Sequence, residues 1–373
     1  MATTPIDQAA ETTCLFNNIP IIPNVNFTGR DDELSVIRKE LDPDIPGGDH
    51  QYKCVTLAGK AGVGKTELAV QYAHERIEKG TQIVIWIHGD SEKALAQSFK
   101  KVVDRLELSD ASTPAARTGD QGQALVMQWL GKCETPWLVV FDNLTAPDST
   151  RGHQPSSFEA LPISPTGSVL VTTRTYRAIP GLPPDSNIVP LPPLPIDEAT
   201  RLLLELSNQG EPLEQQQHDA ASQLAVELEG QPLAITLVGA HTARHVGPLT
   251  VVRNDIQDRL ASVASHFGER GPFQGWPTGR AALEMIFRSL RPDEVKIMAV
   301  SCSLTCPNCV PYALFSPSSA HRISVKHPWR SPFSVDLAIQ ALVWASLMIP
   351  NYPGEKEKTT YRINRAVQEE FRS

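Results

Sequence analysis

Gly59-Lys60-Ala61-Gly62-Val63-Gly64-Lys65-Thr66 is the stretch on which the reading of this 373-residue chain turns. It follows the β-forming triplet Val55-Thr56-Leu57 and precedes a segment of helical spacing over residues 67–75. Glycines let the backbone take conformations that other residues resist, so successive N–H groups can face one anion. A helix starting directly afterwards adds its positive N-terminal end. A lysine followed by a hydroxyl residue completes the pattern. Lys65 would reach the β- and γ-phosphates of a purine nucleotide, and the Thr66 hydroxyl would bind Mg²⁺. Gly59, Ala61, Gly62, Val63, Gly64, Lys65, Thr66 and Glu67 are therefore the candidate phosphate-binding residues.

Outward from this loop, short apolar runs alternate with helical patterns. Residues 52–58, 82–88, 137–142 and 168–173 read as strands, with 187–191 a weaker fifth, and 95–106 has helical spacing. That alternation predicts an α/β fold with a parallel sheet covered on both faces, a P-loop NTPase sheet. The run Trp137-Leu138-Val139-Val140-Phe141-Asp142 ends in an acid at the point where open α/β sheets place ligands. Asp142 is thus the second candidate magnesium ligand beside Thr66. Residues 167–174 end in Thr172-Thr173-Arg174. The forked guanidinium of Arg174 either meets a terminal phosphate or stands on the surface, paired with a carboxylate or solvated. Lys65, Asp142 and Arg174 are the catalytic candidates.

The Pro-rich segment 179–195 is expected to close the nucleotide-binding domain, placed at 25–180 after a tail over 1–24. Residues 198–206 and 220–228 are amphipathic helical stretches, and Pro232 suits the first turn of another helix toward 243. They predict a small helical domain over 181–267. Beyond a Gly/Pro-rich loop (268–279), helices over 281–290, 292–301 and 335–346 precede two short strands, 347–352 and 360–363. Helices followed by a hairpin with a polar tip suggest a winged-helix domain over 268–373.

Composition excludes several classes of function. The net charge is -8 and the pI near 5.7, against the cationic surface that non-specific nucleic-acid or acidic-membrane binding needs. The most apolar stretch, residues 337–349, contains Gln340, stops at Pro350 and is shorter than the ~20 residues of a membrane span. No secretory signal is read at the N-terminus, and six scattered cysteines do not form a disulfide framework. A cytoplasmic protein is expected, with a purine nucleotide (ADP or ATP, with Mg²⁺) as ligand.

The ordered elements resemble the NB-ARC group of STAND-class P-loop NTPases, in particular fungal proteins that carry such a module before tetratricopeptide repeats. The resemblance runs from about Asn26 to the end of the chain. It rests on the glycine loop, Asn26-Phe27-Thr28-Gly29-Arg30-Asp31-Asp32-Glu33-Leu34, residues 82–88 with Trp86, residues 167–174, Gly230-Gln231-Pro232-Leu233-Ala234, and the ending Tyr361-Arg362-Ile363-Asn364-Arg365-Ala366-Val367-Gln368-Glu369. It implies that Arg30 lies near the adenine, that Pro232 packs on the base, that Arg174 senses the γ-phosphate, and that Asn364 occupies the place of a histidine contacting the ADP β-phosphate. It also implies a switch that ADP holds closed and ATP opens to self-association, with protein partners that the sequence does not name.

Two departures from the family pattern matter. Asn143 follows Asp142 where many relatives carry a second acid, and Thr145 and Ala146 stand where fungal relatives supply one slightly later; the next acid is Asp148. An amide cannot take a proton from water, so hydrolysis is expected to be slow at most. Asn364 offers an N–H but no charge, which points to a looser ADP-bound state, or to a plain turn residue at a strand end. A DNA-associated P-loop ATPase and a scaffold that holds nucleotide without switching are the alternative readings. The balanced run Glu355-Lys356-Glu357-Lys358 argues against a DNA-reading wing. Cys302, Cys306 and Cys309 lack a second ligand pair at zinc spacing, and His321 is a speculative fourth ligand. Val310-Pro311 is expected in a helix-to-helix connection. His241 and His245 at i, i+4 read as solvated, with no metalloprotease acid between them.

Overall fold

The structure is a computed structural model that describes residues 16–24, 26–42, 53–108, 119–144, 166–174, 187–208, 214–245, 247–266, 277–303, 310–315, 332–351 and 359–372. Two compact units divide the chain. The first is Met1–Ile19, Asp31–Ala58 and Thr66–Pro190; the second is Pro20–Arg30, Gly59–Lys65 and Leu191–Ser373. Among the described residues no helix is long and apolar enough to cross a membrane.

The first unit is built on a six-stranded sheet of β1 (Phe16–Asn17), β2 (Lys53–Ala58), β3 (Ile83–His88), β4 (Trp137–Leu144), β5 (Gly167–Thr173) and β6 (Asn187–Pro190). Its order is β1-β3-β4-β5-β2-β6 and every pairing is parallel. Strands covered on both faces read as continuous β-branched runs, and Ile-Val-Ile-Trp-Ile in β3 and Trp-Leu-Val-Val-Phe in β4 are buried throughout. Alternate residues Ile83, Ile85, Ile87, Val139, Phe141, Val169 and Val171 share one cluster with Phe99 and Val102 of α3 (Glu92–Arg105) and Val126 and Leu130 of α4 (Gly119–Leu130). The period of two sends that set to one face. α3 has a defined start: extended Ser91 accepts from the Ala94 N–H at 3.2 Å.

The P-loop NTPase sheet expected from the sequence is therefore present, with two differences in extent. Phe16 and Asn17, expected within a tail, form an edge strand on Ile83 and Val84, and Ile19 and Ile21 beyond them are buried. Strand pairing and burial of these apolar side chains hold the segment. At the other end, β6 pairs with residues 55–58 of β2, so the sheet reaches Pro190, past the boundary expected at residue 180. The strand itself answers to the weaker fifth run expected at 187–191, and it lies at an edge, where proline is tolerated because one side of the ladder is unpaired.

The second unit is mainly helical: α5 (Ile196–Ser207), α6 (Gln215–Glu227), α7 (Pro232–His245), α8 (Leu249–His266), α9 (Pro277–Ser289), α10 (Pro292–Ser303), α11 (Pro332–Trp344) and α12 (Arg365–Arg372). One apolar cluster runs from Leu203 and Leu224 through Ile235 and Ile286 to Leu342 and Val367. Arg244 of α7 donates through Nη2 to both carboxylate oxygens of buried Glu294 in α10, at 2.8 and 2.9 Å. Gly230 turns the chain into α7 with φ 62°, and a Cβ there would lie 2.3 Å from the Leu194 carbonyl oxygen, so only glycine fits.

A second sheet, β7-β9-β8, joins β7 (Val310–Pro311), β8 (Ile349–Pro350) and β9 (Thr360–Arg362) in antiparallel pairs. Val310 and Pro311 lie in the expected connection between two helices, α10 and α11, and form within it a third strand, paired with Tyr361 and Thr360. A two-residue strand carries no periodicity, which is why the sequence concealed it. Of the turn expected at 353–359, residues 353–358 lie outside the described residues, as do Cys306, Cys309 and His321.

Candidate functional site

Strand β2 ends at Ala58 and helix α2 (Lys65–Glu78) begins seven residues later, so the glycine loop fills the turn between them. β2 and β3 are successive in sequence but separated in the sheet by β5 and β4. Such a crossover opens a crevice at the carboxyl ends of the strands, the place where this class of sheet binds ligands.

In the second unit the loop is held by bonds to its own carbonyls. Leu233 N, in the first turn of α7, donates to Gly62 O at 3.2 Å. Arg30 Nη2 donates to Val63 O at 3.3 Å and to Pro192 O at 2.6 Å. Gly62 has φ 76°, and a Cβ on it would meet Leu233 Cβ at 2.9 Å, so the approach of α7 requires glycine. Ala61 packs on the helical cluster. Lys65 is buried, and its Nζ donates to Gly59 O at 2.8 Å and Lys60 O at 2.7 Å. A phosphate must outcompete two neutral carbonyls for that ammonium, and a charge-assisted bond to an anion is the stronger one.

In the first unit Thr66 and Asp142 meet. Thr66 Oγ1 and Thr172 Oγ1 each donate to Asp142 Oδ1 at 2.8 Å. The Thr172 hydroxyl also accepts the Asn143 N–H at 2.7 Å. β4 carries an irregularity here: Phe141 pairs with Val171 but Leu144 with Thr173, and Asn143 takes a left-handed φ of 59°. Bulges of this kind re-aim side chains beside functional sites. The Asp142 carbonyl accepts from Gly89 N at 2.8 Å, so backbone and carboxylate are both fixed. A hydroxyl and a carboxylate in contact are hard oxygen donors of the kind magnesium selects, so Thr66 and Asp142 fit that ion. His88 sits beside Asp142 in register, and burial pushes its imidazole below the ordinary histidine range against the pull of Asp142 and Asp90.

Two sets of predicted residues are thus brought together: Arg30, Gly59, Gly62, Val63 and Lys65 in one, Thr66 and Asp142 in the other. Gly64 has φ 99° in the loop, and Glu67 lies in the first turn of α2. Pro232 opens α7 half-buried. Arg174 is exposed directly after β5, and Asn364 is exposed between β9 and α12, its carbonyl accepting from Gln368 N at 2.9 Å. Arg30, read from resemblance as lying near the adenine, has its guanidinium on loop and linker carbonyls. Thr172 was quoted in the sequence only as part of a strand end; its role depends on β5 lying between β2 and β4, which no local signal carries. Thr145, Ala146 and Asp148 lie outside the described residues.

Comparison with known proteins adds three findings. Residues 26–258 match the AAA ATPase domain family. A nucleotide-binding leucine-rich repeat (NLR)-like protein of Hyaloscypha variabilis is 26% identical over 234 residues, which make up 60% of this chain and 23% of that protein. Among solved structures, a signal transduction ATPase with numerous domains (STAND) carrying a tetratricopeptide repeat sensor, from Pyrococcus horikoshii, superposes with a TM-score of 0.54 at 17% identity, covering 95% of this chain and 43% of that one. The chain therefore spans less than half the length of either protein.

Proposed function

Because the chain belongs to the AAA ATPase domain family and is a P-loop NTPase with the fold of a STAND ATPase, we propose that it is an ADP/ATP-controlled switch of the NB-ARC type. The observation that carries this reading is the hydrogen bond from Leu233 of α7 to the Gly62 carbonyl, which makes the phosphate loop and the helical segment share one piece of backbone. A switch needs the two nucleotides to differ by several kcal/mol in their preference for two arrangements; going from 1:99 to 99:1 takes about 5.5 kcal/mol. The γ-phosphate, met by Lys65 and Arg174, is the group that would supply the difference. Mg²⁺, held by Thr66 and Asp142, would neutralise phosphate charge. Pro232 would pack on the base, and Asn364, at the start of α12, would face the ADP β-phosphate within a winged-helix domain formed by α9–α12 and the small sheet.

In this proposal ADP favours the closed monomer, ATP favours opening and self-association in cytoplasmic signalling, and hydrolysis is slow because Asn143 replaces an acid. The nucleotide that co-purifies with the chain, followed by its mass in solution with ADP and with a non-hydrolysable ATP analogue, tests the reading. Bound ADP, a monomer with ADP and a larger species with the analogue are expected. Absence of magnesium-dependent nucleotide uptake by folded protein, or uptake undiminished in Lys65→Ala, would overturn it.

A further inference from the structure

Arg30 stands in an unusual place for a residue assigned to the base. Gly29 and Arg30 both have positive φ, 69° and 72°, and Arg30 is a non-glycine residue in that region, where a strained backbone persists only if its surroundings hold it. Its own side chain is one anchor. The guanidinium is buried, and Nη2 bridges the carbonyls of Val63 in the loop and Pro192 in the linker that follows β6.

The consequence follows from peptide geometry. A trans peptide is planar, and its C=O and N–H point in opposite directions. Holding the Val63 carbonyl outward aims the Gly64 N–H inward. The Leu233 grip on the Gly62 carbonyl does the same for the Val63 N–H. Two successive amides of the loop are therefore oriented by contacts made on its outer side, one of which is a side chain.

We propose that Arg30 is a positioning residue for the phosphate cradle: through the Val63 carbonyl it presets the Gly64 N–H toward a diphosphate, and through Pro192 it ties that setting to the linker entering α5. The proposal rests on the nucleotide-binding reading above and differs from it in placing Arg30 on the phosphate side of the ligand. A contact with adenine would act on every adenine compound alike; a preset cradle acts only on phosphates.

The test is a comparison of ADP, inorganic pyrophosphate and adenosine as competitors for a fluorescent ADP analogue, in wild type, Arg30→Gly and Arg30→Lys. Glycine accepts the positive φ, so Arg30→Gly removes the guanidinium without adding backbone strain. Expected is a loss of about tenfold or more for ADP and pyrophosphate, the scale of losing a charge-assisted hydrogen bond, with adenosine changed less than about twofold and Arg30→Lys restoring part of the loss. Adenosine weakened as much as ADP, or pyrophosphate affinity equal in wild type and Arg30→Gly, overturns the proposal. If Arg30→Gly does not fold, the Arg30→Lys ratio of pyrophosphate to adenosine affinity decides. Wild type that takes up neither ADP nor pyrophosphate overturns the nucleotide reading itself, an outcome distinct from an Arg30 variant that behaves as wild type.

Discussion

Thr66 and Asp142, 76 residues apart in sequence, are joined by a hydrogen bond of 2.8 Å from hydroxyl to carboxylate. The carboxylate oxygen involved also receives the Thr172 hydroxyl at 2.8 Å, so helix α2 and strand β5 converge on one acceptor at the end of β4. Both hydroxyls keep that oxygen aligned, and they differ in what else they do. Thr66 is the candidate ion ligand, whereas Thr172 uses its lone pair on the Asn143 N–H.

That difference separates two substitutions. Thr66→Ala should lower nucleotide affinity about 10- to 100-fold with Mg²⁺ and little in its absence, since a bond to a charged group is worth roughly 1.5–3 kcal/mol. Thr172→Val should instead lower overall stability by about 1–3 kcal/mol, because it strands the Asn143 N–H and removes a donor from Asp142. Titration calorimetry with and without EDTA checks the first, and urea unfolding of the Val and Ser variants checks the second, with Ser near wild type.

Asn143 can be exchanged for an acid without disturbing the backbone. Its φ of 59° suits Asn and Asp, whose short polar side chains accept left-handed conformations. General-base assistance is typically worth 10²- to 10⁴-fold. Asn143→Asp should therefore raise ATP turnover by about 10- to 100-fold over a wild-type rate below about 1 s⁻¹. Phosphate release under single-turnover conditions measures both. Equal rates would show that the residue after Asp142 does not reach the attacking water.

The histidine pair on α7 gives the molecule an acid-sensitive element. The rings of His241 and His245 lie 4.3 Å apart, and His241 is half-buried where the sequence suggested solvated side chains. Burial, then the neighbouring His245, pushes the His241 imidazole down to about 4, with Arg244 and Arg259 adding to the drop and Asp255 opposing it. The unfolded chain, titrating near 6.5, binds more protons than the folded one between those values. Stability from this site is thus complete above about pH 6.5 and is lost as the pH falls toward 4. The urea midpoint should drop less between pH 7 and pH 5 in His241→Gln than in wild type.

By itself the sequence determined the class of sheet, the position of its glycine loop and the two candidate magnesium ligands. Those signals are local: a motif of eight consecutive residues, β-branched runs such as residues 83–87 that only a doubly covered strand can use, and an acid at the end of one of them. The tertiary structure alone decided what holds these groups in place. Leu233 on Gly62, Arg30 on Val63 and Thr172 on Asp142 are contacts between segments far apart in the chain, and each depends on strand order or helix docking rather than on neighbouring residues. The same reason accounts for the strand at Phe16–Asn17 and the one at Val310–Pro311: two residues have no periodicity to read, and only a partner strand makes them what they are.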